Sequence, residues 1–270
     1  MRAVLNGSAA LLTIVLIFGA RTVATQPTDA VAFYDMATIP KAPYGPYPDA
    51  RAVLTETCSV AIATLPRRWR QTPHHHAQEQ ITIGREGPLG YVIDGILHEL
   101  GTHGAGLPPP DVEHGMVNDS DGPAVMLEYQ PVLRREWLPP HPQVPPQPQA
   151  PQAQRISSSA PVTIDYDVAS SGWIVDKAGA RRKTLAGQTI RATFWDLSRA
   201  GARLDVAATP TSRERIVFVL DGHATVEIAK ARRIVGPEML IEVRPSARNI
   251  VLRSQPSEPS LIVVFDTSSR

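Results

Sequence analysis

The chain has little of several things, and each shortage excludes something. Cys58 is its only cysteine, so no disulfide can form within one chain. It sits in the apolar run "TCSVAIATL" (57–65), where a small buried hydrophobe is the expected role rather than a nucleophile. Charge of either sign is not in excess: 27 Lys and Arg against 26 Asp and Glu leave a net charge of +1, with no basic block. Nothing in that balance asks for nucleic acid or an acidic membrane surface. No segment keeps the i, i+3, i+4 apolar spacing over a normal helix length, which argues against a helical domain. The longest apolar run, "AALLTIVLIFGA" (9–20), is 12 residues, short of the roughly 20 needed to span a bilayer.

That run follows Met1-Arg2 and precedes small residues Thr22 and Ala24, the pattern of a secretory signal peptide over residues 1–24 cut after Ala24. The expectation is export, to the periplasm or outside the cell, with membrane attachment only through an uncleaved signal segment. Residues 25–54 are punctuated by "IPKAPYGPYPDA" (39–50) and read as an extended arm lying over the first domain. From 55 to 137 short β-type runs alternate with turns. Residues 138–160, proline and glutamine with almost no apolar bulk, form a semi-stiff linker. Strands resume over 161–270. Apolar content of 43% is enough for a core in each half, and the expected fold is all-β, one barrel or sandwich per half.

The halves look related. A shift of 135 positions lays "EQITIGREG" (79–87) on "ERIVFVLDG" (214–222) without a gap, and Gly101 on Gly236 and Pro110 on Pro245. Strand and turn positions are preserved together, which reads as an internal duplication of one β unit.

The chemistry concentrates in "TPHHHAQEQITIGREG" (72–87). If this is one continuous strand, alternation puts His74, His76 and Gln80 on the inner face and turns His75 and Glu79 away. Neutral imidazoles two residues apart can grip one ion, and a glutamine offers an uncharged amide oxygen. A fourth ligand must come from a distant strand. His114, behind the prolines at 108–110, is the candidate; His98 and His103 compete from a polar turn, and His141 and His223 lie in the linker and the second half.

With these residues in view, the chain resembles the cupin superfamily. The first motif of that family, HxH, three residues, Glu or Gln, six residues and Gly, is met by His74, His76, Gln80 and Gly87. The second, Pro, then His five positions on, then three residues and Asn, is met by Pro109, His114 and Asn118. Two glycines usual in the motifs are Arg68 and Asp111 here. The resemblance covers about residues 55–137. It implies a bicupin: two double-stranded β-helix (jelly-roll) barrels joined by the Pro/Gln-rich linker. One divalent transition-metal ion (Mn, Fe, Ni, Zn or Cu) would be held by His74, His76, Gln80 and His114. Edge strands in cupin barrels often pair between chains, so a homodimer is compatible with the resemblance, although two fused barrels could meet that need alone. At the 135 offset the four ligands become Thr209, Thr211, Arg215 and Asn249, so the second barrel resembles a degenerate cupin that supports the first. Arg213, Arg215, Arg244 and Arg248 are the alternative use of that half, as an anion site.

The first barrel is most similar to the small cupin group that includes pectin-degradation cupins. In that group an inward Asp on the strand after the second motif is followed two on by an aromatic, then by an Arg past a proline. Here the aromatic is Tyr129 and the proline Pro131, but the Asp position holds Leu127 and the Arg is displaced to Arg134. Alternation on that strand points Leu127 and Tyr129 inward and Glu128 outward. Tyr129 is then a weak catalytic candidate and, with Trp69 and Arg70 ahead of the triplet, a wall of the substrate pocket. The functional expectation is an isomerase, lyase or dioxygenase of cupin type on a small polar, sugar-acid-like or enolisable substrate. The alternative is a non-catalytic extracytoplasmic metal- or ligand-binding protein.

Overall fold

The structure is a computed structural model and describes residues 30–131, 162–206, 212–255 and 258–268. The signal segment expected at 1–24 and the linker expected at 138–160 lie outside the described residues, as do Arg134, His141, Thr209 and Thr211. Among the described residues the regular structure is almost wholly strand, with one three-residue 3-10 turn at Met36–Thr38. The first half contributes β1 (Val31–Asp35), β2 (Ala42–Tyr44), β3 (Tyr47–Leu54), β4 (Cys58–Leu65), β5 (Trp69–Arg70), β6 (Ile81–Glu86), β7 (Gly90–Ile93), β8 (Ile96–Glu99), β9 (Gly104–Leu107), β10 (His114–Asn118) and β11 (Ala124–Pro131). The second contributes β12 (Val162–Asp165), β13 (Ile174–Val175), β14 (Arg181–Ala186), β15 (Ile190–Asp196), β16 (Arg203–Asp205), β17 (Ser212–Asp221), β18 (Ala224–Ile228), β19 (Ala231–Val235), β20 (Met239–Val243), β21 (Ile250–Ser254) and β22 (Leu261–Ser268).

These strands build the same object twice. A seven-stranded sheet in the order β12-β9-β6-β11-β4-β3-β2 packs on a four-stranded sheet, β5-β10-β7-β8. The second pair, β1-β20-β17-β22-β15-β14-β13 on β16-β21-β18-β19, repeats that order strand for strand. The described strand pairs are all antiparallel, the arrangement of a jelly roll. Turn chemistry repeats with it. Gly87 and Gly222, 135 positions apart, have φ of +71° and +68°. A Cβ on either would come within 2.6 Å of the Pro123 carbonyl oxygen or 1.9 Å of that of Pro259, so each turn needs glycine both for its hand and for its space.

The two units exchange their outermost strands. β1 pairs along β20 of the second unit, Val31 opposite Val243 through Asp35 opposite Met239. β12, after the undescribed segment, pairs along β9 of the first, Val162 opposite Leu107 through Asp165 opposite Gly104. The arm expected to lie over the first domain is therefore divided: β1 belongs to the second sheet, while β2 and β3 extend the first.

Three apolar cores follow. One lies inside the first barrel (Tyr47, Leu65, Tyr91, Ile93, Met116, Met126). Another lies inside the second (Val217, Ile241, Ile250, Leu252, Ile262). The largest lies between the seven-stranded sheets and draws on both units, from Val60, Ile83, Leu127 and Tyr129 to Phe194, Phe218 and Phe265. Tyr129 stacks on Phe265 and Tyr166 on Phe194, each with centroids 4.5 Å apart. Each fully buried Phe of this joint contributes on the order of 1.5–3 kcal/mol, and the two barrels share this core.

Candidate metal centre

Backbone pairing brings the two histidine-bearing segments together. His74 and His114 form an isolated antiparallel bridge, the His74 N–H donating to the His114 carbonyl at 3.0 Å and the reverse bond at 2.8 Å. Residues directly opposite in such a pair put their side chains on one face. One turn further, the Asp111 N–H donates to the His76 carbonyl at 2.9 Å, so the loop before β10 holds the second histidine as well. Ahead of the triplet, Gln71 is laced to Met116 in both directions, through its backbone N–H at 2.9 Å and its side-chain oxygen at 3.0 Å.

The result is a cluster in which one ring nitrogen each from His74, His76 and His114 lies within 4.8 Å of the others. Among the described residues it is the one group of three or more His, Cys, Asp or Glu side chains close enough to share an ion. His75 is exposed and turned away, as expected. The route differs from a continuous strand: residues 77–78 form a bend, and regular pairing resumes only at Ile81. That bend lets Gln80 fold back, its Oε1 standing 3.1 Å from His76 Nε2.

Hydrogen bonding fixes the tautomers. His74 Nδ1 faces the Thr72 carbonyl at 3.3 Å, His76 Nδ1 that of Gln78 at 2.6 Å, and His114 Nδ1 that of Val112 at 2.8 Å. A carbonyl oxygen can only accept, so each Nδ1 carries the proton and each neutral ring offers its Nε2 lone pair. His114 Nε2 is buried and without a hydrogen-bond partner. His76 Nε2 and Gln80 Oε1 are then two acceptors face to face, with no proton of their own between them. Burial, opposed by the Val112 contact and assisted by the neighbouring histidines, pushes the His114 imidazole down to about 3. His74 is lowered by burial and then by His76. Ring nitrogens brought together, each ring anchored through its other nitrogen, are what a divalent transition metal requires. The donor set fits such an ion, with Gln80 Oε1 as its oxygen.

Behind Gln80 stands a residue the sequence did not reveal. Glu128 on β11 is buried inside the barrel, its Oε2 accepting from the Tyr47 hydroxyl at 2.6 Å and from Gln80 Nε2 at 2.9 Å. Burial pushes its carboxyl up to about 7, against the pull of the Tyr47 bond. This reverses the expected facing of β11. Leu127 and Tyr129 point into the joint between barrels, where Tyr129 stacks on Phe265 and bonds Thr267. Tyr129 therefore neither lines a pocket at the cluster nor meets a substrate there. The reason is that β11 is covered on both faces, so alternation alone does not tell barrel interior from joint. A register shift at Val125/Met126 adds to the ambiguity.

Trp69 is half-buried against the first-barrel core, its ring 5.9 Å from that of Tyr47. Arg70 is exposed and ion-paired to Asp119. Tyr91 presents its buried ring edge-on to His114, centroids 5.9 Å apart. His103 is exposed beside Asp167 at 3.6 Å, away from the cluster, and His223 pairs with Glu258. Glu79 reaches across to the second unit, its carboxylate accepting from the backbone N–H groups of Gln188, Thr189 and Ile190 at 2.6, 2.6 and 3.2 Å. In the second barrel Arg215 pairs with Asp266, Arg244 with Glu242, and Arg248 donates to the Pro245 and Ala247 carbonyls. Each of these three arginines is engaged within the chain.

No family model matches the chain, and no curated protein matches its sequence. Solved structures do match its shape. A protein described as glyoxylate-induced, from Pseudomonas aeruginosa, is 12% identical with a TM-score of 0.67, over 90% of this chain and 91% of that one. The DUF861 protein Ylba of E. coli is 14% identical with a TM-score of 0.63, over 93% and 96%. A variant of oxalate decarboxylase from Bacillus subtilis is 11% identical with a TM-score of 0.62, over 87% and 77%. At such identities the likeness carries architecture and not activity. By that architecture, with its paired antiparallel sheets around an imidazole cluster, the chain has the cupin fold.

Proposed function

We propose that the chain is an exported, metal-dependent enzyme that takes a small polar substrate, sugar-acid-like or enolisable, at one divalent ion held by His74, His76, His114 and Gln80. The observation that carries the reading is the set of three imidazoles, each with Nδ1 against a backbone carbonyl, that bring one ring nitrogen each within 4.8 Å of the others. When bound, the ion supplies Lewis-acid stabilisation of an anionic oxygen on the substrate. The chain's own part is to anchor the three rings through Nδ1, to aim an amide oxygen beside them, and to keep one side open. His74 and His76 are only half-buried while His114 and Gln80 are buried, so a small molecule approaches past the first pair. Tyr91 and Met116 wall the interior apart from bulk water.

Four neutral donors leave the ion its full double charge, which suits a substrate that brings an anionic oxygen. Mn, Fe, Ni, Zn and Cu all accept a nitrogen-rich set. Manganese is the first to try, since another structure of the Bacillus subtilis decarboxylase concerns its Mn(II) centres. Export rests on the apolar run at 9–20 and the small residues at 22 and 24.

The test is turnover by chelator-stripped protein reloaded with each of these metals, on a panel of sugar acids, dicarboxylic acids and β-diketones. Product is expected with at least one metal and substrate class, and not with His76→Ala. Turnover that survives stripping, or that His76→Ala retains, contradicts the reading. Metal binding with no turnover across the panel leaves a metal- or ligand-binding protein instead.

A further inference from the structure

A glutamine side chain has two ends of similar size, and only the oxygen can ligate a cation. Nothing in Gln80 itself selects which end faces the histidines; the choice is made by what meets the other end. Gln80 Nε2 lies 2.9 Å from Glu128 Oε2 and 3.3 Å from Thr82 Oγ1. That same Glu128 oxygen takes the Tyr47 hydroxyl at 2.6 Å, so it acts as an acceptor. A flipped Gln80 would set its own oxygen against this acceptor, while its NH2 group would donate to the His76 lone pair, the bond that a cation on that lone pair forbids. Tyr47, Gln80 and Glu128 are all buried, which leaves water little room to repair the mismatch and makes an unpaired polar atom costly. Three strands therefore cooperate: β3 brings Tyr47, β11 brings Glu128, and the entry to β6 brings Gln80.

We propose that Glu128 is a positioning residue of the metal centre, holding the Gln80 amide by its nitrogen so that Oε1 faces the three imidazoles. The inference rests on the metal reading above and adds a part to it. Groups in this position typically change metal affinity by about 10–100-fold when removed. A carboxylate is suited to the task because it offers acceptor sites for both Tyr47 and Gln80.

The experiment measures Co(II) affinity by competition with a chelator, and the visible Co(II) spectrum, on the full chain. Glu128→Leu is expected to weaken binding by about 10–100-fold and to alter the spectrum, since Gln80 is free to rotate away. Glu128→Gln keeps an oxygen that can accept from both donors and is expected to recover most of the affinity. In a Gln80→Leu background, Glu128→Leu should cause no further loss, because the pair acts through one ligand. Melting of each metal-free variant establishes that it is folded, and Glu128→Met repeats the test should the leucine variant not fold. Wild-type affinity and spectrum in Glu128→Leu, or an equal loss in the Gln80→Leu background, would overturn the positioning role and leave the metal site standing. Equal Co(II) binding by wild type and His114→Ala would overturn the metal reading, and this inference with it.

Discussion

Burial pushes the Glu128 carboxyl up to about 7 and the His114 imidazole down to about 3. The two have opposite consequences for stability. A raised carboxyl binds its proton more tightly folded than unfolded, so its contribution is present below about 4.5 and lost as pH rises through about 7. A lowered imidazole contributes fully above about 6.5 and loses that contribution as pH falls toward about 3. In metal-free protein, Glu128→Gln should therefore melt above wild type at pH 8.5, by up to roughly 3 kcal/mol of stability, with the gap closing near pH 4.5. A pH-independent gap would contradict the assignment. The histidine cluster was legible because two spacings that resemble the cupin motifs pick out His74, His76 and His114, and the structure brings those three rings together. Glu128 was not, because its strand has apolar partners on both faces and nothing in "AVMLEYQP" says which face is the barrel.

Among the elements, the turns carry the most testable chemistry. The two positions where the family motifs usually have glycine hold Arg68 and Asp111 here, and both keep a left-handed backbone, with φ of +55° and +61°. The departure from the motif thus leaves the turn unchanged and places a side chain where one is disfavoured. Such a conformation costs a non-glycine residue on the order of 1 kcal/mol or more, offset in part by the stiffer unfolded chain. Arg68→Gly, whose lost ion pair with Asp121 is exposed and worth little, should leave stability unchanged or raise it by up to roughly 1 kcal/mol. Chemical denaturation checks this, and a loss beyond that size would show that the side chain, not the backbone, matters there. Gly87→Ala should do the opposite and destabilise by about 1–3 kcal/mol, because its Cβ would meet the Pro123 carbonyl oxygen at 2.6 Å. Strand positions were readable from the sequence, since the 135-residue repeat lays β6 to β11 on β17 to β22. Pairing partners were not, because short apolar strands carry no label for the sheet they join.

For the whole molecule, strand exchange is the feature that sequence patterns could not supply. β1 completes the second sheet and β12 the first, so neither half contains all its own strands. Cleavage at an engineered site between residues 138 and 160 should leave two fragments that elute together, and either half expressed alone should aggregate or fail to melt cooperatively. Two separately folded, separable barrels would contradict the account. The second barrel, which lacks the ligands, also braces the first through Glu79 on the turn at 187–190. A Cβ on Gly187 would stand 2.4 Å from that carboxylate. Gly187→Ala should therefore disturb Glu79, the residue next to Gln80, the proposed oxygen ligand, and weaken metal binding from the far barrel. Unchanged metal affinity in a folded Gly187→Ala protein would show that the brace does not reach the site.

Three anchored imidazoles and one aimed amide, as proposed, hold an ion inside the first barrel. Elemental analysis of the purified full chain, beside His76→Ala and His114→Ala, tests it most directly. About one divalent transition-metal ion per wild-type chain is expected, and little or none in either folded variant. Equal metal content in all three would contradict it.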